Sequence, residues 1–90
     1  MKRVHVILSG NVQMVGLRSF IKRNAISLNL KGYVKNTKDG KVEAIFEGPE
    51  EDIKKMVDLC RRGSEASKIE SVEVKEEEYN AEYSDFSIGL

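Results

Sequence analysis

Disulfides, proline-rich linkers, long apolar runs and a net charge are all missing from this 90-residue chain. Its one cysteine, Cys60, has no partner for an internal disulfide. That fits a reducing compartment, so a cytoplasmic location is expected. With a single proline, no repeat and no low-complexity segment, residues 1–90 are read as one domain. Fifteen basic and fifteen acidic residues cancel. A general binder of nucleic acid or anionic membrane would carry a basic excess. Any anion site must therefore be local, and neither partner is expected. No apolar run approaches the roughly 20 residues that a membrane helix needs. Lys2 and Arg3 precede an apolar start, but His5 and Ser9 interrupt it, so no signal peptide is expected.

What the chain does have is short, well-patterned segments, arranged around Gly10-Asn11-Val12-Gln13-Met14-Val15-Gly16-Leu17-Arg18. The run before this stretch, Val4-His5-Val6-Ile7-Leu8, is β-branched and aliphatic. After it, Leu17, Phe20, Ile21, Ala25 and Leu28 fall at helical spacing. The stretch is thus a strand-to-helix turn with a glycine at each end. A helix start has unpaired N–H groups and the positive end of the dipole, where phosphate is stabilised. Arg18, in or just before the first turn, could grip a phosphate through two parallel hydrogen bonds. Glycine's turn geometry explains the same residues without any ligand, so the stretch alone leaves both readings open.

In chain order, a strand is expected over 3–9, with Val4, Val6 and Leu8 on one face. A helix follows, from 15 or 16 to 28. A short strand covers 33–36, and Asp39-Gly40 signals a tight hairpin. The next strand, 41–47, puts Val42, Ala44 and Phe46 on one face and Glu43, Ile45 and Glu47 on a half-solvated one. Pro49 is expected at the first position of a second helix ending near 62, with Ile53, Met56, Val57 and Cys60 as its buried stripe. Cys60 is then core filler, and Arg61 and Arg62 complement the helix dipole. A fourth strand over 69–76 should turn Val72 and Val74 inward. Glu76-Glu77-Glu78 is a solvated strand end, because consecutive carboxylates do not converge on a metal. Phe86, Ile88 and Leu90 alternate as a possible short terminal strand. This order gives an α+β, ferredoxin-like βαββαβ sandwich, with an antiparallel sheet and both helices on one face.

Two segments then resemble the signatures of the acylphosphatase family. Residues 10–18 are similar to G-x-V-Q-G-V-x-F-R. Gly32-Tyr33-Val34-Lys35-Asn36, with Gly40, Val42 and Gly48, is similar to G-[FYW]-V-x-N-x-x-x-G-x-V-x-x-x-x-x-G. Tyr83-Ser84-Asp85-Phe86 resembles the family's closing strand, so the likeness covers essentially the whole chain. The resemblance implies hydrolysis of the carboxyl-phosphate bond of small acyl phosphates, releasing a carboxylate and inorganic phosphate, without metal or organic cofactor. It implies that Arg18 binds the substrate phosphate and that Asn36 positions the attacking water. It implies too that amides of the loop at Asn11, Val12, Gln13, Met14 and Val15 cradle phosphate oxygens. Thr37 either steadies Asn36 or caps its turn.

Two positions depart from the pattern. Leu17 is a tolerable apolar exchange. Met14 stands where the family has glycine. If that position needs positive φ, methionine costs on the order of 1–2 kcal/mol; if the loop shifts instead, amides turn away from the phosphate. The expectation is an active acylphosphatase, with a weakened or inactive anion-binding domain as the alternative. An RNA-binding sheet is disfavoured, because its strands would offer His5, Glu43, Ile45 and Glu47 rather than aromatics with basic neighbours. A monomer is expected, since lysines and glutamates along the strands act against edge pairing.

Overall fold

A computed structural model describes residues 1–89. The element order is β1 (Lys2–Asn11), α1 (Leu17–Ser27), β2 (Lys31–Asn36), β3 (Val42–Gly48), α2 (Glu50–Arg62), β4 (Lys68–Glu77) and β5 (Phe86–Ile88). Leu90, expected to extend the terminal strand, lies outside the described residues. The strands form one sheet in the order β4-β1-β3-β2-β5. In the centre, Val6 of β1 faces Ala44 of β3 and Val74 of β4, both antiparallel. This is the expected ferredoxin-like two-layer sandwich, with one correction. The sheet is mixed rather than antiparallel, because β5 pairs with β2 in parallel, Tyr33 opposite Ser87. Leaving β4 at one edge, the chain returns at the other edge and runs alongside β2.

One core forms between the helices and a single face of the sheet. Val4, Val6 and Leu8 alternate into it from β1 and meet Leu17, Ile21 and Ala25 of α1 and Ile53, Met56, Val57 and Cys60 of α2. Each aliphatic side chain buried this way contributes about 1.5–3 kcal/mol. Phe20 and Leu28 pack against the core only in part, so the buried stripe of α1 is narrower than its apolar spacing suggests. Burial pushes the Cys60 thiol up to about 12. It stays protonated and serves as packing.

The helix ends follow local chemistry. At the end of α1, Asn29 takes φ 57°. Its N–H donates to the Ile26 carbonyl and that of Leu30 to the Ala25 carbonyl, each at 2.9 Å. This reciprocal pair closes the last turn, and asparagine tolerates the left-handed backbone it requires. Pro49 precedes α2 as its N-cap rather than occupying the first helical position, with ψ 143° and its carbonyl accepting from Ile53 at 3.0 Å. Proline's fixed φ suits this role as well, since no N–H is needed there.

Two expectations about faces change. Ile45 and Glu47 are buried, at 3% and 2% exposure. β3 is central, and the crossing segment 78–85 brings Tyr83 over that face, with its ring 5.8 Å from that of Tyr33. Val74 points toward the helix layer, as expected from its register with Val6. It stays 42% exposed, however, on the edge strand beside an open groove lined by Ile53 and Val57 of α2.

Candidate functional site

The connection from β1 to α1 is built from residues that pull in opposite directions. Val12 is buried and roots the loop in the core, while Met14 beside it is 97% exposed. Met14 adopts φ 62° and Gly16 φ 77°. Methionine has therefore accepted the left-handed backbone instead of shifting the loop, at a cost of about 1–2 kcal/mol. Alternating handedness of this kind turns successive N–H groups toward one concavity, which suits an anion. The N–H groups of Gln13, Met14, Val15 and Gly16 donate to no backbone carbonyl among the described residues. Gly16 leads directly into α1, where its carbonyl accepts from Phe20 at 3.1 Å. No side chain caps this helix start, and its first turn holds no acidic residue. The helix's own first turn thus brings no counter-charge to the positive end of its dipole.

Arg18 is the second residue of α1. Its guanidinium makes no ion pair or hydrogen bond among the described residues. Val12, Met14, Gly16, Leu17, Arg18, Ser19 and Ile88 line a depression of about 250 Å³ here. Of the residues expected at a phosphate, Val12, Met14 and Arg18 lie on its wall. Gln13, Val15 and Asn36 do not, and Asn11 ends β1 opposite Lys68.

The Gln13 side chain turns instead to the β2–β3 hairpin. Its Nε2 donates to the carbonyls of Thr37 and Lys41, each at 2.9 Å. That bond ties the loop to the residues flanking Asn36, the last residue of β2. Asn36 Oδ1 is buried and has no hydrogen-bond partner among the described residues. Leaving such an acceptor unpaired costs about 1–3 kcal/mol. Thr37 closes the turn: its Oγ1 accepts from the Lys41 N–H at 3.0 Å and also contacts the Asp39 carboxylate. Of the two roles weighed for Thr37, these contacts are those of a turn clamp. The Thr37 hydroxyl, foremost among its neighbours, lowers the Asp39 carboxyl below its usual range. Only Gly40 of the Asp39-Gly40 pair takes positive φ, at 85°. The hairpin is therefore a three-residue loop ending in a left-handed glycine rather than a two-residue turn.

Three contributors were not legible as such. Gln13 acts through its side chain, Ser64 Oγ donates to the Val15 carbonyl at 3.0 Å, and Ile88 of β5 closes one wall of the depression. Each depends on a segment distant in sequence. Only the glutamine within the first signature offered any signal.

Comparison with known proteins extends this picture. A profile of the acylphosphatase family matches residues 4–88. An acylphosphatase of Syntrophobacter fumaroxidans is 41% identical over 87 residues, covering 97% of this chain and 90% of that protein. One of Caldivirga maquilingensis is 45% identical over 87 residues, covering 96% and 92%. The crystal structure of acylphosphatase from Bacillus subtilis superposes with a TM-score of 0.96 at 37% identity, covering all of both chains.

Proposed function

The chain belongs to the acylphosphatase family, and from that premise we propose how its own residues carry the reaction. The protein hydrolyses the carboxyl-phosphate bond of acyl phosphates. Its substrate's phosphate sits in the depression at the start of α1. The free N–H groups of the loop and the Arg18 guanidinium hold its oxygens. The Asn36 carboxamide turns its buried Oδ1 out to accept an O–H from a water, and the water's lone pair then faces phosphorus. The water oxygen forms the new P–O bond as the bond from phosphorus to the carboxyl oxygen breaks. The carboxylate leaves with that electron pair, and the water's proton passes to a phosphate oxygen of the substrate itself.

Little acid-base chemistry is needed. The leaving group is the anion of an acid with a pKa near 4, so it departs without protonation. Catalysis then rests on alignment and on charge fixed where charge develops. Asn36 carries this reading: a buried Oδ1 with no protein donor, on the hairpin that Gln13 fastens to the loop. Met14 supports an active loop over a vestigial one, because its backbone takes the left-handed turn and its side chain is exposed.

The chain works as a single-domain monomer in the cytoplasm, releases inorganic phosphate, and uses neither metal nor organic cofactor. A nucleic-acid partner does not fit it, since the sheet face away from the helices carries the His5–Glu43 and Arg3–Glu47 pairs. Steady-state hydrolysis of benzoyl phosphate tests the assignment. Wild type should turn over, and Arg18→Ala and Asn36→Ala should each lose at least about 100-fold, the cost of removing one transition-state donor. No turnover by folded wild type would overturn it.

A further inference from the structure

The net charge of zero conceals a division. All fifteen acidic residues lie from Asp39 onward, and the first 38 residues carry eight of the fifteen Lys and Arg. That cationic half contains the loop, α1 and β2. On α1 itself, Arg18, Lys22 and Arg23 stand without a single carboxylate in the helix.

A second depression, of about 390 Å³, adjoins the phosphate depression and shares Ser19 and Ile88 with it. Its remaining lining is Lys22, Arg23 and Ile26. Ser19, Lys22, Arg23 and Ile26 recur at helical spacing, so they form one strip along α1. Ile26 is 55% exposed and Ile88 37%, giving the strip an apolar floor open to solvent. Neither Lys22 nor Arg23 forms an ion pair among the described residues. Lys22 lies one turn beyond Arg18, about 6 Å along the axis. Helical side chains lean toward the N-terminus, here toward the phosphate.

Resting on the reading of the site given above, we propose that this strip is the acyl-group subsite. Lys22 and Arg23 make the protein select acyl phosphates whose acyl chain ends in a second anionic group. The methylenes lie over Ile26 and Ile88, and the distal anion meets the two cations one helical turn away. No carboxylate on α1 competes for them. Lys2, Arg3 and Lys35 of the cationic half are already paired with carboxylates, so Arg18, Lys22 and Arg23 are the charges beside the site left to draw a multiply charged substrate toward the loop.

Succinyl phosphate and butyryl phosphate test this directly, because they share a four-carbon chain and differ in the distal carboxylate. Wild type should favour succinyl phosphate by about 5- to 30-fold in kcat/KM at low salt, through KM rather than kcat. This is the scale of two solvent-exposed charge contacts. The ratio should fall toward one in Lys22→Ala/Arg23→Ala, and toward one for wild type at high salt. The Lys54→Ala/Lys55→Ala variant on α2 has the same net charge and should keep the wild-type ratio. Equal kcat/KM for the two substrates in wild type would overturn the proposal. So would a preference that survives in Lys22→Ala/Arg23→Ala, or one lost equally in Lys54→Ala/Lys55→Ala. Failure to hydrolyse either substrate would count against the catalytic reading itself, a different result from hydrolysis without preference.

Discussion

Gln13 Nε2 lies 2.9 Å from the carbonyl oxygen of Thr37, 24 residues further along the chain. Its second hydrogen bond, to Lys41 at 2.9 Å, closes the other side of the same hairpin. The two signature segments are thereby tied together: the loop proposed to cradle the phosphate, and the strand end that carries Asn36. Gln13→Ala should cost about 1–3 kcal/mol in urea unfolding, because two hydrogen bonds are lost, although each carbonyl keeps a backbone donor, Gly40 N–H on Thr37 and Thr37 N–H on Lys41. In the same variant kcat should fall more than KM rises, since the bond aligns water and phosphate rather than holding either. Steady-state kinetics on benzoyl phosphate separates the two, and an unchanged kcat would show that the tie is only structural.

Met14 should be replaceable by glycine at a profit in stability. Its φ of 62° is strained for a side chain, and its 97% exposure means that no packing is lost. Offset by the greater freedom of glycine in the unfolded chain, Met14→Gly should stabilise by about 0.5–1 kcal/mol. Turnover should stay within about threefold of wild type, because the loop already has its left-handed turn. A rise of tenfold or more would show that methionine distorts the cradle.

Arg3 fastens the crossing segment. Its guanidinium bonds Glu77 at 3.0 Å, Glu82 at 2.7 Å and the buried Glu47 at 3.4 Å, and lies 5.5 Å from the centre of the Tyr83 ring. Arg3→Ala leaves Glu47 buried without its cation, and should cost about 2–4 kcal/mol in denaturant unfolding. Glu82→Ala should cost under about 1 kcal/mol, because that carboxylate is half exposed. Equal losses in the two variants would contradict this hierarchy.

Glu43 makes stability depend on acid. The His5 hydrogen bond at 2.7 Å, followed by Lys35, holds its carboxyl below the usual range. A carboxylate with a depressed folded-state pKa stabilises above its unfolded value, and that contribution is lost as pH falls through the folded one. Thermal unfolding should therefore show wild type losing stability below about pH 4.5. Glu43→Gln should lose less over the same interval. A steeper acid loss in the variant would reverse the sign of this argument.

Much of this architecture was legible in the sequence, because alternation and helical spacing report which face is buried. Val4, Val6 and Leu8 on β1, and Ile53, Met56, Val57 and Cys60 on α2, occupy the expected faces. What the sequence hid was nonlocal. The direction of β5 depends on where the crossing segment lands. The burial of Glu47 depends on Arg3 and Tyr83, each more than 35 positions away. At the site, the glycines and Arg18 of the first signature marked the loop in advance. The backbone of Met14 was left between two outcomes, because spacing reports a side chain's face and not its φ. The hold of Gln13 on the hairpin needed the folded hairpin to be seen.

The central claim is a division of labour: Arg18 and the loop bind phosphate, while Asn36 holds water. Inorganic phosphate as a competitive inhibitor of benzoyl phosphate hydrolysis, measured together with kcat, tests it most directly. Asn36→Ala should keep the wild-type inhibition constant within about threefold while its kcat falls at least about 100-fold. Arg18→Ala should lose inhibition by phosphate. An Asn36→Ala variant with near wild-type kcat, or one that loses phosphate binding as fully as Arg18→Ala, would contradict the account.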